Sequence, residues 1–164
     1  MITYLALDQA LQTSGWAIYG DGRLLDCGIF KTHNTIPIEE RLGEVFTELT
    51  KLHDRYSFNY VFFEDIQKQQ NVETYKKLCY VQAVVLLWCY FEQIDFDILS
   101  PSHWRSIIKD KYKVNFGKTR AEQKAAAQKF VKEHFNIDVT EDECDAICLG
   151  LAGLEEFNKH RSAF

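Results

Sequence analysis

Apolar residues run almost unbroken from Ile2 to Leu7 and stop on a carboxylate, Asp8. A run of that length predicts a buried strand. A polar turn, Gln9 to Ser14, separates it from a second apolar run, Gly15-Trp16-Ala17-Ile18-Tyr19. Asp21-Gly22 then marks a tight hairpin turn before a third strand, from about Leu24 to Thr32. Three strands joined by short turns make an antiparallel meander. After them the period changes. Pro37 suits the first turn of a helix, and Ile38, Leu42, Val45, Phe46, Leu49 and Leu52 keep helical spacing towards Tyr56. Asn59-Tyr60-Val61-Phe62-Phe63-Glu64 is another buried strand that ends on an acid.

Beyond the polar stretch Gln67 to Asn71, the pattern predicts a long helix from Val72 to Glu92. Its second half, Val81 to Phe91, is apolar nearly all round, so it is expected to be covered on more than one side, by the core alone or also by a second subunit. A fifth strand covers Ile94 to Leu99. Ser100-Pro101 supplies an N-cap and a first-turn proline for a short helix to about Lys109. A basic loop, Asp110 to Gly117, precedes a helix from Thr119 to His134. Thr140 and Glu143 have the spacing of a capping box and open a last helix to about Phe157. Residues 1–157 are expected as one domain and residues 158–164 as a tail. The order β-β-β-α-β-α-β-α-α-α implies an α/β fold. Its five-stranded mixed sheet has three antiparallel strands followed by parallel ones, with helices on both faces.

The composition changes this picture little. The 164 residues suit one domain with a full core. No apolar run reaches the length of a membrane span. The first residues lack the basic and small-residue features of a secretory leader, so a cytoplasmic protein with no membrane contact is expected. Five cysteines, with no CxxC pair, read as small buried residues rather than a zinc set, Cys144 and Cys148 included. None of the five histidines has an evident catalytic setting, and Trp16 and Trp104 read as core. The net charge of −5 does not mark a nucleic-acid binder, but its distribution does matter. From Arg105 to Lys132 nine Lys and Arg face only Asp110 and Glu122, a segment of +7 in a chain whose remainder is −12. Salt confines each field to about 10 Å at 0.1 M, so a basic sector can hold a polyanion locally. A merely solvated helix face is the alternative.

Four acids invite a chemical reading. Asp8 and Glu64 end two apolar strands, and Asp142 and Asp145, three apart, share one helix face. Converging carboxylates repel unless a hard cation joins them. Mg²⁺ takes oxygen ligands and commonly links a few carboxylates to a substrate phosphate. Two such ions can activate a water and stabilise the leaving oxygen of a phosphodiester. Each acid also has a simpler reading: Asp142 as a partner of the helix dipole, Glu64 as a loop acid beside Asp65, Asp8 as the acceptor of an Asx-turn with Ala10.

The set of motifs resembles the RuvC-type Holliday-junction resolvases of the ribonuclease H-like superfamily, in a divergent, phage-type branch. The likeness rests on Leu5-Ala6-Leu7-Asp8 before Thr13-Ser14-Gly15-Trp16-Ala17-Ile18, on Phe62-Phe63-Glu64, on Gly117 to Lys124 and on Asp142-Glu143-Cys144-Asp145-Ala146. It spans about residues 2–155. It implies a catalytic and metal-binding set of Asp8, Glu64, Asp142 and Asp145, with one or two Mg²⁺ per subunit and Mn²⁺ as a substitute. No small-molecule cofactor is implied. The implied reaction is paired phosphodiester hydrolysis across a four-way DNA junction, by a homodimer built on the helix around residues 72–92. Lys111, Lys113, Lys118 and Lys124 are the candidate DNA contacts.

The chain also departs from the family pattern. Ala6, Gln9 and Ala10 stand where the family's first motif has Gly and Pro-Gly, and Gln67 stands where many members carry a base-stacking phenylalanine. The family's C-terminal motif lysine aligns with Gln123, beside Lys124. Two other readings remain: a nuclease for a broader range of branched DNA such as forks and flaps, and a junction-binding module without catalysis. An actin-like ATPase is disfavoured, because the chain has no glycine-rich phosphate loop and no room for a second domain.

Overall fold

The structure is a computed structural model and describes residues 2–161. Residue 1 and residues 162–164 of the expected tail lie outside the described residues. Five strands form one sheet: β1 (Thr3–Asp8), β2 (Thr13–Gly20), β3 (Arg23–Lys31), β4 (Tyr60–Glu64) and β5 (Asp95–Leu99), in the order β3-β2-β1-β4-β5. β1 to β3 pair antiparallel, and β4 and β5 add in parallel, as the pattern predicts. Asp21 and Gly22 both adopt positive φ (48° and 77°). That is the turn whose twist matches a two-residue hairpin, and it explains why Asp-Gly stands there.

Alternation along the strands sends side chains to opposite faces. Leu5, Leu7, Trp16, Ile18, Val61 and Phe63 face α1 (Ile38–Tyr56) and α2 (Val72–Glu92). Tyr4, Ala6, Ala17, Tyr19 and Phe62 face α3 (Pro101–Tyr112), α4 (Arg120–Phe135) and α5 (Glu141–Arg161). The sheet is thus covered on both sides, and Trp16 and Trp104 are core residues. All five cysteines are free, and Cys89, Cys144 and Cys148 are buried. Among the described residues no helix is long and apolar enough to cross a membrane.

Three boundaries differ from expectation by more than one residue. β2 begins at Thr13, because Thr13 and Ser14 already pair with Lys31 and Phe30 of β3. α3 continues to Tyr112 and ends on Lys113 in the left-handed conformation (φ 60°), so it absorbs the start of the expected basic loop. α5 continues to Arg161, beyond the expected end near Phe157. α2 is also more one-sided than its composition suggests. It buries Val81, Val85, Trp88 and Cys89 and exposes Tyr80, Leu87, Tyr90 and Phe91.

Candidate active site

β1 and β4 are neighbours and run parallel, with Leu7 opposite Phe63. Asp8 and Glu64 therefore leave the sheet at the same end. Each is two residues beyond a side chain of the α5-facing core, Ala6 and Phe62, so alternation turns both acids towards α5. α5 comes unusually near. A Cβ on Gly15 would meet the Asp142 backbone oxygen at 2.0 Å, so only a glycine lets the first turn of α5 rest on β2. The capping box forms as expected: Thr140 Oγ1 and N donate to the Glu143 carboxylate, and Glu143 N donates back to Thr140 Oγ1. Glu143 is thereby occupied with capping and Glu141 pairs with Lys124. Asp142 and Asp145 are left to line the pocket with Asp8 and Glu64.

That pocket is a cavity of about 400 Å³, open to solvent. All four candidate acids line it, together with Gln9, Gln67, Arg105, Arg120, Gln123 and Lys124. The Asx-turn reading of Asp8 fails, because the Ala10 N–H donates to Ser14 Oγ (3.0 Å). Burial pushes Asp8 well above the usual carboxylate range, and Glu64, Asp145 and Asp142 push it further, with Lys124 opposing. Glu64 is raised to about 7, first by burial and then by Asp145. A hydrogen bond from Trp104, and the charges of Arg105 and Arg120, oppose that rise. Burial raises Asp145 to about 6, against Arg105 and Lys124. The pocket concentrates negative charge that the protein's own cations only partly offset.

This donor set fits a hard divalent cation, since every acid offers oxygen and water alone leaves three of them raised. Among the described residues no group of three or more His, Cys, Asp or Glu is placed to hold a metal ion as the side chains stand. An open set also suits Mg²⁺, which keeps several waters and takes substrate phosphates as ligands.

Of the four candidate lysines only Lys124 lines the pocket. Lys118 lies at the entry to α4, where its backbone N–H donates to Glu122. Lys113 caps α3 and donates to the Asp110 carbonyl oxygen (2.7 Å). Lys111 pairs with Glu155, ten residues beyond Asp145 and roughly 15 Å further along α5. Sequence reasoning missed Arg105, Arg120 and the polar role of Trp104, whose Nε1–H donates to Glu64 Oε2 at 2.7 Å. It also missed Gln9, whose Nε2 donates to the Glu64 carbonyl oxygen at 2.5 Å. One signal was available for Arg105: Ser100-Pro101 starts α3 at the end of β5, beside Glu64, and Arg105 is one turn in.

The sheet order, with acids at the ends of paired parallel strands, is that of a ribonuclease H-like fold. A family model described as Crossover junction endodeoxyribonuclease RuvC matches residues 5–152. The chain belongs to that family. The Crossover junction endodeoxyribonuclease RuvC of Ehrlichia ruminantium (strain Welgevonden) is 32% identical over 90 residues, 51% of this chain and 56% of that protein. The chain thus spans about half the length of the Ehrlichia relatives it matches. The protein of the same description from Brachyspira hyodysenteriae (strain ATCC 49526 / WA1) is 24% identical over 157 residues, 93% of this chain and 92% of that protein. Among solved structures, T. thermophilus RuvC in complex with Holliday junction substrate superposes with a TM-score of 0.76 at 15% identity, over 93% of this chain and 92% of that one. The yeast mitochondrial Holliday junction resolvase Ydc2 gives 0.57 at 12% identity, over 91% and 76%.

Proposed function

We propose that this chain is a metal-dependent, structure-specific DNA endonuclease that resolves four-way junctions by paired phosphodiester hydrolysis, working as a homodimer in the cytoplasm. The carrying observation is one pocket that unites Asp8, Glu64, Asp142 and Asp145 with the cations Arg105, Arg120 and Lys124. A phosphate binder without catalysis gains nothing from gathering four acids. Family membership and relatives named as crossover junction endodeoxyribonucleases support the same reading.

The four carboxylates would hold Mg²⁺ or Mn²⁺, which when bound supplies water activation and charge neutralisation at the scissile phosphate. Arg105, Arg120 and Lys124 draw the phosphate in and offset its developing charge in the transition state. Water adds to phosphorus, one P–O bond breaks, and the leaving oxygen takes up a proton. Lys113 and Lys118, on either side of the loop before α4, hold neighbouring phosphates of a duplex arm. Such contacts select shape and position with little sequence information.

Gln67 lines the pocket where a stacking ring would otherwise stand, and this favours a second, broader reading: cleavage of forks and flaps alongside junctions. The test is a labelled immobile four-way junction, a panel of other branched substrates and a linear duplex, each with Mg²⁺, Mn²⁺ or EDTA, using wild type and Asp8→Asn. Paired nicks on the junction, lost in EDTA and in the variant with binding retained, are expected. Cuts across the panel would support the broader reading. Binding without cuts in either metal would make the chain a junction-binding module.

A further inference from the structure

Trp104 is fully buried in the α5-side core, yet its indole carries an N–H that must find a partner there. The partner is Glu64 Oε2, 2.7 Å away and 40 residues earlier in the chain. Packing fixes the donor. Phe116 meets the indole edge-on, with ring centroids 5.8 Å apart at 87°. The Arg105 guanidinium carbon lies 4.8 Å from the ring centroid. The indole N–H donates only, so it holds a carboxylate oxygen without competing for a cation. Gln9 fixes the backbone of the same residue by donating to the Glu64 carbonyl oxygen. Main chain and side chain of Glu64 are thus tied down separately, by groups from β1's following turn and from α3.

We propose that Trp104 is a positioning residue for Glu64: it holds Oε2 and so leaves Oε1 as the oxygen offered to a divalent cation. This rests on the carboxylate metal site proposed above. A donor behind a metal ligand typically contributes about 10–100-fold to metal affinity, because it orients the ligand before the ion arrives. The ordinary reading of a buried tryptophan, packing alone, asks nothing of its N–H and predicts no response to metal.

Two measurements separate these readings. In wild-type protein the indole N–H resonances are followed by NMR during a Mg²⁺ titration, with the Trp104 signal assigned by its loss in Trp104→Phe. The Trp104 signal is expected to shift as the ion saturates. That of Trp88, whose Nε1–H donates to Thr50 Oγ1, is expected to stay. In calorimetric titrations Trp104→Phe is expected to bind Mn²⁺ about 10–100-fold more weakly than wild type.

An unmoved Trp104 resonance at Mg²⁺ saturation overturns the inference, as does a folded Trp104→Phe variant whose Mn²⁺ affinity stays within about twofold of wild type. If Trp104→Phe does not fold, the wild-type resonance decides, assigned through its contact with Glu64 in a Glu64→Gln sample. Wild-type protein that takes up neither ion overturns the metal site itself. Uptake with an indifferent indole overturns only the role of Trp104.

Discussion

Glu64 and Asp145 carry a pH dependence whose sign follows from burial. Their pKa values rise from the ordinary 4.5 and 3.8 to about 7 and about 6. Between those limits the metal-free folded chain binds more protons than the unfolded one, so its stability falls as pH rises. In EDTA the melting temperature should drop from about pH 4 to about pH 7. Glu64→Gln and Asp145→Asn should each flatten the drop and melt higher than wild type at alkaline pH. Added Mg²⁺ should raise the wild-type melting temperature more at alkaline than at acid pH, because the ion takes the place of the protons. Thermal unfolding across pH checks all three; a wild-type profile that rose with pH would contradict the buried acids. The lysines can be separated at the same scale. Lys124→Ala should reduce the salt dependence of junction binding by about 0.9 in log–log slope, the effect of one phosphate contact. Lys111→Ala, which removes a partner of Glu155 far along α5, should leave that slope unchanged.

The elements were largely legible because the chain keeps two clean periods, and because Asp21-Gly22, Ser100-Pro101 and Thr140–Glu143 punctuate them with turn and cap chemistry. The four acids were legible for the same reason: strand ends and a helix face are properties of local sequence. Trp104 and Gln9 were not. Their bonds to Glu64 join residues 40 and 55 apart and depend on the pairing of β4 with β5 and with β1. An indole in an apolar run carries no mark that its N–H faces an acid. The contact of β2 with α5 is likewise invisible in sequence, yet it sets the distance between the two pairs of acids. Gly15→Ala would drive a Cβ into the backbone carbonyl of Asp142, which cannot rotate away as a side chain could. α5 must then back off, at a cost of about 1–3 kcal/mol. Displacing Asp142 and Asp145 by about 1 Å should cost cleavage about 10²-fold beyond any loss of folded protein. Cleavage measured per folded molecule tests this, and wild-type turnover would mean that the Gly15 contact does not set the acid geometry.

At the scale of the molecule, one chain offers one acid pocket, whereas resolving a four-way junction takes two symmetrically placed cuts. The homodimer proposed above would provide them, using the same surface patch on both subunits. The best candidate patch is the outer face of α2. Tyr80, Leu87 and Phe91, at helical spacing, are exposed there with Tyr90 beside them. Burial of Val81, Val85 and Trp88 satisfies the inner face only. Large contiguous apolar surface of this kind marks an interaction site. Leu87→Glu would place a charge at the centre of that patch, with no opposite charge in its own helix turn to meet it. The variant should sediment as a monomer where wild type sediments as a dimer, with its thermal unfolding nearly unchanged if measured on the monomer. Its acid pocket stays intact, so it should still nick a junction. The two cuts should lose their coupling, however, and singly nicked junction should accumulate before linear product. A plasmid-borne cruciform reads this out directly, since a nicked circle reports one cut and a linear molecule reports two. If Leu87→Glu remained dimeric and still gave linear product first, the α2 face would not be the subunit interface, and the paired-cut geometry would have to come from another surface.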